Sequence, residues 1–181
     1  PTITLSAFKK TRNIYQAISN MDSKTTPNQV ELYVGVLLLD STDRVYLIKE
    51  DDRNKISKGR WNLPGGAVCP KEDLITAAER TTKLETGYSI EITSLVGNYK
   101  CTKDDKEWLY VVFGAKPYPG KRQVKTMSEH VSLGKWFNKE EIIHMDSQDL
   151  VHPDMQLVYN LALTGSGVTI NAVKFIDYNV Q

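Results

Sequence analysis

Side chains able to do chemistry gather around one stretch, AAERTTKLETG, Ala77 to Gly87. Glu85 near its end, Glu72 just before it and Glu129 in a later loop are carboxylates, the groups that hard divalent cations prefer. The frame looks built to hold a metal on acids, yet few acids are present. Upstream, LPGG ends in two glycines that permit a tight turn, and the Gly66 carbonyl is a candidate metal ligand. Lys49, Lys55, Lys58 and Arg60 border the loop into that turn and are candidates to meet phosphate, against the plainer reading of scattered solvated cations. Trp61 is read as packing or as a ring that stacks on a substrate base. Cys69 reads as an idle thiol in preference to a nucleophile with His130 as its base.

These residues need elements to position them. Residues 5–20 place Phe8, Ile14, Tyr15 and Ile18 near helical spacing, and MDSKTTPNQ reads as a linker. The runs ELYVGVLLLD and RVYLIKE, separated by STD, predict a strand pair. A helix is expected from about Glu72 to Thr86, stopped by Gly87. YSIEITSLVGNYK and EWLYVVFGAKP predict two strands joined by CTKDDK, whose acids Asp104, Asp105 and Glu107 read as a solvated turn. VSLGKWFN is a further strand, KEEIIHM a short helix, PDMQLVYNLAL a helix and VTINAVKFIDYNV a returning strand. The order predicts an α+β or mixed α/β layered domain, residues 30–181, behind an N-terminal helix and linker, residues 1–29.

The stretch WNLPGGAVCPKEDLITAAERTTKLETGYSI resembles the Nudix box, the loop–helix–loop signature of the Nudix hydrolases. Gly66, Glu72, Arg80, Glu85 and Gly87 fall in register with it, and the Leu63-Pro64-Gly65-Gly66 lead-in and Ala77-Ala78 pair are also typical. The resemblance, covering roughly residues 30 to 165, implies an α/β/α sandwich with a mixed sheet. It also implies cleavage of a diphosphate linkage in a nucleoside diphosphate derivative, with Mg2+ or Mn2+ on three glutamates of one helix face. By that resemblance Glu85 and Gly66 would hold the metal, and Glu129 would supply a ligand or base. Glu72 would pair with Arg80, and Gly87 would end the helix.

The chain departs from that pattern where it matters. The three glutamate positions are Thr81, Leu84 and Glu85, so two carboxylates are gone; Cys69 stands where an acid is frequent and Lys71 where glycine is frequent. Glu79 lies two residues before Thr81, about 200° around the helix, and should face elsewhere. Three readings follow: a divergent hydrolase using Glu85, Glu129 and outside ligands; a silent fold kept for ligand binding or regulation; or a pocket reused for metal-independent chemistry on a small molecule. The first needs Mg2+ or Mn2+; the others need no cofactor.

Bulk composition narrows the partners. Lys plus Arg number 23 against 22 Asp plus Glu, a balance that supplies no clear signal for nucleic acid or an anionic membrane. Two cysteines without zinc spacing, no apolar run of membrane length and no signal-peptide core together predict a soluble cytoplasmic protein, and the resemblance implies a nucleotide-like small-molecule ligand. Because members of the resembled family often pair, a homodimer through residues 1–29 or 165–181 is a further expectation.

Overall fold

Strand β1 (Glu31–Leu38) is apolar on both faces, the pattern of a strand covered on both sides. The computed structural model describes residues 30–51, 57–103, 106–120, 128–152 and 158–159, and the backbone of 177–178. In it β1 is an inner strand. It runs parallel to β6 (Lys106–Pro117), from Glu31 opposite Trp108 to Leu38 opposite Ala115, and antiparallel to β4 (Gly65–Ala67). β6 forms a long hairpin with β5 (Ile90–Lys103), whose register shifts twice, between Ile92 and Ser94 and between Leu95 and Gly97. A short β8 (Asp177–Tyr178) adds parallel to β5, giving the mixed order β4-β1-β6-β5-β8.

The strand pair expected across STD does not form. β2 (Val45–Glu50) belongs to a second sheet, β3-β2-β7, with β3 (Trp61–Asn62) and β7 (Val131–Phe137); it packs against the first through side chains and meets the end of β1 in an isolated Leu39–Val45 bridge. The reason is occupancy: both hydrogen-bonding edges of β1 are taken, by β4 and β6. The turn is held instead by Asp40, whose carboxylate accepts N–H bonds from Thr42 at 2.9 Å and Arg44 at 3.0 Å, while Asp43 takes a left-handed φ of 58°.

Two cores flank the five-stranded sheet. On one face Val34, Val36 and Leu38 meet Val111, Phe113 and Ala115 of β6 and Ala77 and Ala78 of helix α1 (Leu74–Thr86). The paired alanines let the helix approach the sheet closely. On the other face Leu37, Val112, Leu63 and Phe137 pack with Ile142 of helix α2 (Lys139–Ile143), with Leu150, and with the helical residues Val158 and Tyr159. Burying each such side chain contributes about 1.5–3 kcal/mol, so these layers, α/β/α, set where everything else sits. Among the described residues no helix is long and apolar enough to cross a membrane. The helix expected over residues 5–20 and most of PDMQLVYNLAL and VTINAVKFIDYNV lie outside the described residues.

Candidate active site

Helix α1 starts one turn-position later than the apolar pattern suggests, because Asp73 caps it by accepting from Ile75 and Thr76 N–H, each at 3.0 Å. Glu72 is therefore outside the helix. Its carboxylate takes Arg80 Nε at 2.7 Å and Nη2 at 2.8 Å, together with the Cys69 N–H at 2.9 Å, and Arg80 Nη2 also donates to the Ala67 carbonyl at 3.0 Å. This fork ties the loop after β4 to the helix. The Arg80 guanidinium, with the Cys69 N–H, holds the Glu72 carboxyl at about 2. Because its folded value lies below the ordinary one near 4.5, the brace stabilises fully above that pH and is lost as pH falls through about 2. A Glu72→Gln variant should melt below the wild type at pH 7, and the gap should close on acidification to pH 2; melting curves across that range check it.

One departure from the family pattern acquires a shape here. Lys71, where glycine is frequent, sits at a left-handed φ of 67°, a conformation glycine adopts without cost. Gly87 does the ordinary thing: at φ 75° its N–H returns to the Lys83 carbonyl at 2.9 Å and ends α1.

The three helix positions read as metal ligands do not act alike. Thr81 is buried; its hydroxyl donates to the Ala77 carbonyl at 2.7 Å, and its Cγ2 lies 3.1 Å from where a Cβ on Gly66 would stand. Its neutral oxygen is thus committed to its own helix. Leu84 is half exposed. Glu85 alone turns inward, accepting the Gly65 N–H at 2.8 Å. Burial pushes its carboxyl up to about 8; the Gly65 N–H opposes that rise and the nearby charge of Glu50 adds to it.

Glu50, passed over in the sequence, is the other acid here. It ends β2 and is 9% exposed, and its Oε1 accepts from Asn62 Nδ2 at 3.0 Å. The signal was present: Tyr46, Ile48 and Glu50 share one phase of a buried strand, and a charge in that phase at a strand end marks a built environment. Tyr110 lies within electrostatic reach of both acids. Its hydroxyl fills the space beside Gly35, where an added Cβ would lie 2.0 Å from it. Burial, with the charges of Glu85 and Glu50, drives the phenol well above its usual value.

The remaining sequence candidates are spread around this pair. Lys49 Nζ lies 5.6 Å from the Trp61 ring centroid, and Trp61 packs edge-on against Phe137 with centroids 4.7 Å apart. Arg60 is half-buried, and its carbonyl accepts the Glu50 N–H at 2.9 Å. Glu129 is exposed in the loop before β7, whose first residue, Val131, pairs with Glu50. Cys69 is exposed. Among the described residues no three His, Cys, Asp or Glu side chains gather as a metal cluster.

The NUDIX domain model matches residues 31–159, and the chain belongs to that family. It is similar to a MutT-like protein of Streptomyces ambofaciens, 31% identical over 53% of this chain and 62% of that one. It is also similar to the human 8-oxo-dGDP phosphatase NUDT18, 27% identical over 66% of this chain and 36% of that protein. The chain thus spans less than two thirds of the length of these relatives. Among solved structures, a NUDIX hydrolase from Nitrosomonas europaea superposes with a TM-score of 0.69 at 19% identity, covering 82% of this chain and 98% of that one. The MutT protein of Methanosarcina mazei Go1 gives 0.66 at 19% identity, over 78% and 99%. At these identities the structural likeness speaks for the fold.

Proposed function

We propose that this chain hydrolyses a diphosphate linkage in a nucleoside diphosphate derivative with the help of a divalent cation, Mg2+ or Mn2+. The observation that carries the reading is Glu85: a carboxylate largely withdrawn from water at energetic cost, aimed by a backbone N–H, at the one of the three metal-ligand positions on the helix where an acid survives. A structural role would be filled as well by an amide, which costs less to bury. The donor chemistry fits a hard cation, since the inward groups are carboxylate, amide and backbone oxygens, with a buried Asn62 Oδ1 that has no hydrogen-bond partner among the described residues. Glu85 and the Gly66 carbonyl are the inherited donors; a bound cation would neutralise charge building on the phosphate oxygens. Glu129, on the loop beside Glu50, is assigned to proton transfer with water. Lys49 and Arg60 are assigned to the substrate phosphates and Trp61 to the base, while Glu72, Arg80 and Gly87 hold the loop and helix in place.

Relatives described as an 8-oxo-dGDP phosphatase and a putative 8-oxo-dGTP diphosphatase support the nucleotide class. The composition supports a cytoplasmic location, and a homodimer belongs to the same reading. A second reading, a catalytically silent ligand-binding fold, draws on the loss of donors at Thr81 and Leu84. A panel of nucleotide sugars, dinucleotides, ADP-ribose and oxidised nucleoside diphosphates separates the two. Release of nucleoside monophosphate that requires Mg2+ or Mn2+ and stops with chelator is the expected result. No turnover on any member, with ligand-induced melting shifts in the absence of metal, would establish the silent fold instead.

A further inference from the structure

The structure assigns the missing metal donors to a different element: we infer that Glu50 of β2 and the Asn62 side-chain oxygen of β3 complete, with Glu85, a divalent-cation site relocated from the helix face. The inference rests on the hydrolase reading above and specifies its ion site.

Three observations place these groups together. Asn62 and Gly65 belong to one β3–β4 connection; the first donates its Nδ2 to Glu50 Oε1 at 3.0 Å and the second its N–H to Glu85 Oε2 at 2.8 Å. One short turn therefore orients both acids. The two acids also lie close enough together for the Glu50 charge to act on Glu85, and both lie near enough to the Tyr110 phenol to act on it. Finally, the Asn62 amide spends its nitrogen on Glu50 and leaves its oxygen buried without a partner among the described residues. A buried acceptor in that state leaves its desolvation cost unrecovered unless something cationic or a donor meets it. Beside two carboxylates, a divalent cation satisfies it and at the same time neutralises the acids' charge, which a donating water does not do. Magnesium and manganese accept such a mixed oxygen set and complete it with water.

The assignment also accounts for the helix. With donors supplied by β2 and β3, Thr81 is released to pack its methyl against Gly66, and Leu84 carries no coordination duty.

The test is Mn2+ binding to the full chain without nucleotide, read by the loss of the free-ion signal in electron paramagnetic resonance. Glu50→Gln keeps an acceptor for Asn62 and removes the charge; it should weaken Mn2+ binding at least tenfold, as should Glu85→Gln, and Asn62→Leu should weaken it several-fold. Glu79→Gln, on an exposed helix position, should leave it unchanged. If Glu50→Gln fails to fold by circular dichroism, Glu50→Asp takes its place, and a several-fold loss is expected from the shorter reach. Wild-type Mn2+ affinity in a folded Glu50 variant, with loss confined to Glu85→Gln, would overturn the assignment while leaving the proposed hydrolase intact. A wild-type chain that binds no Mn2+ and releases no nucleotide would overturn both.

Discussion

Glu85→Gln should lower cation-dependent turnover by at least 100-fold and, in chelator at pH 9, raise the melting temperature above that of the wild type. The two effects share one cause. Changes even in groups behind metal ligands commonly cost 10–100-fold, and removal of a direct anionic donor costs more. The same carboxylate is a liability without the ion. Burial first, and then the charge of Glu50, lift it to about 8 against an ordinary 4.5, with only the Gly65 N–H opposing. A folded value raised above the unfolded one means that its stabilising contribution is fully present below pH 4.5 and is lost as pH rises through about 8. Over that window the folded chain keeps a proton that the unfolded chain has released, so stability falls by at most about 1.4 kcal/mol per pH unit, less where the site relaxes toward water. Glutamine retains an oxygen for the Gly65 N–H and carries no proton to lose. The variant should therefore match the wild type near pH 5 and exceed it at pH 9, the usual opposition of stability and activity at a functional site. Calorimetry at the two pH values with chelator decides the stability half; identical melting at pH 9 would show that the carboxylate is not enclosed.

How far the sequence alone reaches differs between fold and site. The box anchors Gly66, Glu72, Arg80 and Gly87 are local signals, because a turn, a fork to a helix arginine and a helix stop are each encoded within a few residues. Strand existence was similarly legible for β5, β6 and β7. Strand pairing was legible for the β5–β6 hairpin but not for β1 and β2. A short polar break between two apolar runs looks like a hairpin, yet β1 pairs with β6, some seventy residues onward (Glu31 opposite Trp108), and parallel pairing leaves no turn signature between partners. The site failed for a related reason. The motif offers the helix and the later loop as sources of substitutes for the lost acids, whereas the charge that acts on Glu85 comes from Glu50 of β2, through a turn that only the folded sheets bring into place. Glu50 sits next to Lys49, which had been singled out for its charge; the strand's phase, and not the charge, was the informative feature. Two lost helix carboxylates read as lost chemistry only while the helix is taken as the sole source of ligands.

The turn that carries this arrangement makes the second large effect a matter of space. Gly65→Ala should lower stability by about 3 kcal/mol, equivalent to roughly 6–12 °C in melting temperature for a chain of this size. A Cβ at residue 65 would lie 2.1 Å from the Val34 carbonyl oxygen and 2.9 Å from Gly35 Cα. Both are backbone atoms of the inner strand β1, held by β6 on its other edge, so neither can move aside as a side-chain tip would. β4 must then retreat from β1, breaking the Gly35–Gly65 register and carrying the 65 N–H away from Glu85. Neighbouring glycines supply the contrast. Gly59 has no atom within 4 Å of its would-be Cβ and a φ of 67°, so alanine there brings only left-handed strain of about 1–2 kcal/mol. At Gly66 the contact is the Thr81 methyl at 3.1 Å, which can rotate or shift by a few tenths of an ångström. The expected order of damage is therefore Gly65, then Gly59, then Gly66, with only the Gly65 variant losing Mn2+ affinity in proportion. Melting curves on the three alanine variants test the order; a Gly65→Ala protein as stable as Gly66→Ala would mean that β4 does not lie against β1 as closely as the Glu85 contact requires.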